Sequence, residues 1–143
     1  MRPPLMLFMV AALLLTAGCI GGNDDQVFKS LVEQLNQKGL QTKDTIQNAD
    51  GSYNKAVIED MIKTYNDART KIVSMKLSDA YSGARDNYIK GIDEATAGYS
   101  ALIKIDPKQG LGALAGIGTT MQRFTNAQSY FDSAKRVIGV PVT

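Results

Sequence analysis

The stretch 53–76, YNKAVIEDMIKTYNDARTKIVSMK, decides the fold. Ile58, Met61, Tyr65, Ala68, Ile72 and Met75 recur at steps of three or four residues. That spacing gathers them on one side of an α-helix as a heptad-like seam, and such a seam needs another helix to cover it. A half-buried strand would alternate with period two, and no segment of the chain does so convincingly.

Reading outward from this segment gives three more helices. Downstream, Ser78 offers an N-cap with Asp79 in the first turn behind it. Tyr81, Ala84, Tyr88, Ile92, Ala95, Tyr99 and Leu102 then line one face. Almost no chain separates the second and third segments, so the cap at Ser78 favours an antiparallel hairpin over one long helix. Pro107 closes the third segment, because the residue before a proline is pushed out of helical geometry. A fourth segment, from about Lys108 to Ile138, carries Leu111, Leu114, Ile117, Met121, Phe124, Phe131, Ala134 and Ile138, and ends at Gly139 and Pro141. Upstream, Val27, Phe28, Leu31, Val32 and Leu35 form the first stripe, with Gly39 as its expected C-terminal cap. Between Gly39 and Ser52 the pattern leaves helix and loop both open, apart from a turn at Asp50-Gly51 with a cap expected at Ser52. Four amphipathic helices with short connections make an all-α, up-and-down four-helix bundle over residues 26–143.

The N-terminus has a different composition. Arg2 is followed by an apolar run from Leu5 to Leu15, then Thr16-Ala17-Gly18-Cys19, with no charge between Arg2 and Asp24. A charged start, an apolar centre and small residues before a cleavage point are the parts of a secretory signal. The run is too short to span roughly 30 Å of hydrocarbon comfortably. Over residues 1–22 the chain resembles the prokaryotic lipoprotein family, bacterial or archaeal, with Ala17-Gly18-Cys19 matching the end of the lipobox and Thr16 standing where Leu is usual. The resemblance implies a signal peptide at 1–18 and cleavage before Cys19. It also implies that the Cys19 thiol carries a diacylglycerol-type lipid and anchors the domain on the outer face of the cell membrane. Residues 19–25 are then the lipidated cysteine and a short glycine-containing, acidic tether. Cys19 is the chain's one cysteine, so no internal disulfide competes for it.

Composition excludes several chemistries. The chain has no histidine, which removes Ser–His and Cys–His catalysis and the Glu-x-x-His ligands of a di-metal bundle. With no histidine and no free cysteine, zinc and haem are also disfavoured. The adjacent pairs Glu59-Asp60 and Asp93-Glu94 point about 100° apart on a helix and read as solvated faces. Without Arg2 the net charge falls to +1, which offers no electrostatic footing for nucleic acid. Gly110 to Gly118 is glycine-rich, but it has neither the spacing nor the preceding strand of a phosphate loop. No cofactor and no catalytic residue is expected.

Two constellations carry the remaining expectations. Gly112 with Gly116, and Gly91 with Gly98, are candidate helix-contact positions where backbones approach closely or a partner docks. The plainer reading of Gly91 and Gly98 sets them opposite bulky Tyr or Phe. Tyr65, Tyr81, Tyr88 and Tyr99 fall on the apolar seams as core residues, and Tyr81, Tyr88 and Tyr99 are the candidate ligand-facing ones. The chain therefore reads as a membrane-anchored, non-catalytic interaction or accessory domain with a protein partner or self-association. The alternative is a bundle that binds a small molecule near the tyrosines.

Overall fold

A computed structural model describes residues 24–48, 50–105 and 110–142. The expected signal peptide, Cys19 and the tether up to Asn23 lie outside the described residues. Four helices form an up-and-down bundle: α1 (Asp25–Thr42), α2 (Lys55–Ser74), α3 (Asp79–Leu102) and α4 (Leu111–Ile138). Among the described residues no helix is long and apolar enough to cross a membrane.

The seam of α2 is buried as its spacing requires, with Ile58, Met61, Tyr65, Ala68 and Ile72 in the core. α2 begins two residues later than the cap expected at Ser52, because the Asn54 side chain accepts from the Val57 N–H at 3.3 Å. Ser52 instead completes the Asp50-Gly51 turn, where Gly51 has φ +82° and the Asp50 carboxylate accepts from the Ser52 N–H at 3.0 Å. Gly39 does not end α1. The helix runs on to Thr42 and tightens into a 3-10 turn at Lys43–Thr45, since Gly39 lacks the left-handed conformation of a terminal glycine.

Asp24 and Asp25, expected in the tether, belong to the folded domain. The Asp24 N–H donates to the Lys76 carbonyl at 2.9 Å, and its carboxylate accepts from the Lys76 N–H at 2.8 Å. The Asp25 carboxylate accepts from the Ser78 N–H at 2.9 Å and from its hydroxyl at 2.6 Å. The acidic pair thus fastens the start of α1 to the α2–α3 turn. Ser78 is the cap residue of α3 but turns its hydroxyl toward Asp25.

The tightest packing is between α3 and α4. α4 buries the C-terminal part of its expected stripe, Phe131, Ala134 and Ile138, but not the N-terminal part: Leu114 is 62% exposed and Met121 59%. A heptad of small residues, Ala113, Thr120, Ala127 and Ala134, is buried along the helix. The cause is on α3. A Cβ placed on Gly91 would lie 2.5 Å from the Phe131 ring, and one on Gly98 would lie 2.9 Å from the Phe124 ring. The two phenylalanines occupy the space the glycines leave, so α4 turns its small residues inward and carries Leu114 and Met121 outward. Arg69 to Asp93 (2.7 Å) and Arg123 to Glu94 (3.2 Å) are partly exposed ion pairs that link α2 to α3 and α3 to α4. Each is worth about 0–1 kcal/mol at such positions.

Candidate functional site

α1 is the shortest of the four helices and the least closely held. Lys38 links it to α2 through Asp60 and Thr64, both at 2.7 Å, and the Thr42 hydroxyl donates to the Met61 sulfur at 3.5 Å. On the α4 side, the Lys135 ammonium donates to Asn36 Oδ1 at 2.8 Å. Beyond that bond α1 and α4 part, and a cleft of about 570 Å³ opens between them. Such a volume falls in the range of small-molecule sites.

Aromatic rings form the floor of the cleft. Tyr88 packs on Phe131 with centroids 4.8 Å apart, Phe131 lies near-parallel to Tyr65 at 6.0 Å, and Tyr65 lies near-parallel to Tyr99 at 6.2 Å. Tyr99 meets Phe124 edge-on at 4.9 Å. All five line the cleft, and Tyr53 from the α1–α2 connection joins them. Leu35, Gly39 and Leu40 of α1 make the opposite wall. Burial pushes the phenols of Tyr65, Tyr88 and Tyr99 above their ordinary ionisation range, so all stay neutral at physiological pH.

Lys135 also lines the cleft and is only 4% exposed. Its nearest carboxylate, Asp132, is 4.0 Å away and accepts from Gln128 at 2.7 Å. Burial lowers the Lys135 pKa, and Asp132 partly offsets that. Among the described residues that line the cleft, none is Asp or Glu, and Lys43 supplies a second positive charge.

The sequence-derived candidates separate on this geometry. Tyr88 and Tyr99 line the cleft, as does Tyr65. Tyr81 does not: it packs edge-on against Phe28 at 6.4 Å, outside the cleft lining, because the first turn of α3 faces the start of α1. Gly91 and Gly98 lie under Phe131 and Phe124 inside the bundle, not on an outer face. A Cβ placed on Gly116 would meet only the Ile105 side chain, at an ordinary 3.4 Å, so no close backbone crossing occurs there. The surroundings of Gly112 lie outside the described residues. Sequence reasoning missed Phe124, Phe131, Asn36 and Lys135 as cleft residues. Lys135 did leave a signal: it falls four residues after Phe131 and three before Ile138, a charged residue on an apolar stripe.

Among the described residues no cluster of three or more His, Cys, Asp or Glu side chains is placed to hold a metal ion. Comparison with known protein families, curated proteins and solved structures returns no match.

Proposed function

We propose that this protein is an exported, lipid-anchored binding domain with no catalytic role, and that it takes a small molecule in the cleft between α1 and α4. The observation that carries the reading is the cleft itself, an aromatic floor with a few polar groups at its edges, which is the usual make-up of a ligand site. The anchor rests on the lipobox-like Ala17-Gly18-Cys19 and the apolar run before it. Two acyl chains hold a protein at a bilayer stably, whereas one alone is marginal.

Both halves of the reading have a direct test. In the native host, Cys19→Ser should move the protein from the membrane pellet to the soluble or secreted fraction; retention in the pellet would refute the anchor. For the cleft, the membrane-extracted protein is screened for compounds that raise its melting temperature, since a ligand that binds only the folded state stabilises it by mass action. Gly39 lines the cleft, and the space a side chain there would enter is empty. Gly39→Trp should therefore fill the cleft and abolish the shift while the helical circular dichroism persists. A stabilising compound that works equally well on Gly39→Trp would place binding elsewhere.

One observation favours a second reading, an interaction or accessory subunit. Leu114 and Met121 lie seven residues apart on one exposed face of α4. Under that reading the extracted protein self-associates or carries a protein partner, and Met121→Glu disperses the complex. Native mass spectrometry of the gently extracted protein separates the two readings by the mass of what accompanies it.

A further inference from the structure

We infer that the occupant of the cleft is a small amphiphilic monoanion, its apolar body on the aromatic floor and a carboxylate-type head held by Lys135. The inference rests on the ligand-binding reading and names its chemical class.

Charge balance is the starting point. A buried ammonium is costly unless it is paired and hydrogen-bonded. Lys135 has one close neutral acceptor, Asn36 Oδ1 at 2.8 Å, and a carboxylate at 4.0 Å that is already engaged by Gln128. The compensation is incomplete on the side that meets the cleft. Lys43, exposed at the rim, adds to the same sign, and no described lining residue opposes it. In a chain of nearly balanced charge, this cavity is locally positive.

The aromatic floor alone is compatible with a cation resting on ring faces, but two lysines and no carboxylate exclude that occupant electrostatically. A neutral apolar ligand leaves Lys135 as it stands and gains nothing from it. A polyphosphate or nucleotide needs several cationic or N–H donors converging on its charges, and one buried ammonium does not supply them. A single anionic head at Lys135 supplies the missing counter-charge, with a charge-assisted hydrogen bond in place of a loose pair. The body then lies along Phe131, Tyr65, Tyr99 and Phe124.

The test uses the full chain extracted from its membranes and reconstituted in lipid nanodiscs, with empty nanodiscs as the blank. 2-Naphthoate and 2-naphthamide share an apolar body and differ in the charge of the head. Calorimetric titration should give naphthoate at least tenfold tighter binding, and Lys135→Met should erase the preference by weakening naphthoate alone. Lys135→Gln, which keeps a polar end without the charge, is measured in parallel so that misfolding of one variant does not decide the result. Equal affinity of the two probes for the unaltered protein, or a preference that survives both variants, overturns the anionic assignment while leaving the cleft a binding site. Binding of neither probe to the unaltered protein overturns the ligand-binding reading itself, and this inference with it.

Discussion

Thr120 sits 1% exposed in the middle of α4, and its hydroxyl oxygen has no hydrogen-bond partner. A buried hydroxyl without a partner forfeits its hydration and regains nothing, at a cost of about 1–3 kcal/mol. Valine has nearly the same shape and the same branching at Cβ, so helix propensity hardly changes. Thr120→Val should therefore stabilise the domain by about 1 kcal/mol, read from chemical denaturation as a higher midpoint at unchanged slope. A lower midpoint would mean that the hydroxyl finds a partner after all. Thr120 also shows how far a single residue could be read in advance. In the sequence it is one of several threonines in a polar-looking stretch. Only the orientation of α4, set by Phe124 and Phe131 against the α3 glycines, reveals it as a core position.

At the scale of helices, α3 and α4 make opposite predictions for their glycines. An alanine at Gly91 drives a methyl into the Phe131 ring and within 3.2 Å of the Ala127 carbonyl oxygen. The ring is flexible only within a packed core and the carbonyl belongs to the backbone, so Gly91→Ala should cost about 1–3 kcal/mol. Gly118 is exposed, with nothing within 4 Å of an added Cβ, and Gly116 meets only ordinary contact. At each of these, alanine should add about 0.5–1 kcal/mol by restricting the unfolded chain. Thermal melts of the three single variants test the pattern, and a stabilising Gly91→Ala would refute the account of the α3–α4 seam. The same contrast explains which elements were legible. α2 and α3 were readable because large side chains carry their periodicity. The N-terminal half of α4 is less legible, because its buried positions there are the small Ala113 and Thr120 while Leu114 and Met121 face outward. The start of α1 is legible in Asp24 and Asp25 as cap and first-turn acids, but their hold on the α2–α3 turn is not, because that turn lies more than fifty positions away.

For the whole molecule, alkaline pH is the revealing variable. The phenols of Tyr65, Tyr88 and Tyr99 are raised by burial from an ordinary value near 10. Above that pH the unfolded chain gives up these protons and the native one does not. Their contribution is therefore complete below about pH 10 and is lost as pH rises beyond it. Lys135 works the other way: its lowered pKa means the unfolded state binds the extra proton, so stability gains from it as pH climbs toward 10.5. Three phenols against one ammonium leave a net loss above pH 10. An alkaline titration should show three of the six tyrosines ionising only as helical circular dichroism collapses. Reversible ionisation of all six with helicity intact would contradict the aromatic floor. That floor was only half visible in advance. Its tyrosines stood on two seams, but the cavity arises where α1 and α4 part, and the bond bridging them joins residues 99 positions apart.

The acidic clamp at Asp24 and Asp25 also sets a height. Any chain preceding Asp24 leaves the bundle at the end where α2 turns into α3. The cleft wall contributed by α1 begins at Leu35 and ends at Leu40, which at 1.5 Å per residue is roughly 16–24 Å up the side of the bundle. Along α1 the opening is separated by that length from the end of the bundle where the preceding chain leaves. Under the proposed reading of an anchored binding domain, a ligand would reach the cleft without the attachment point lying in its path.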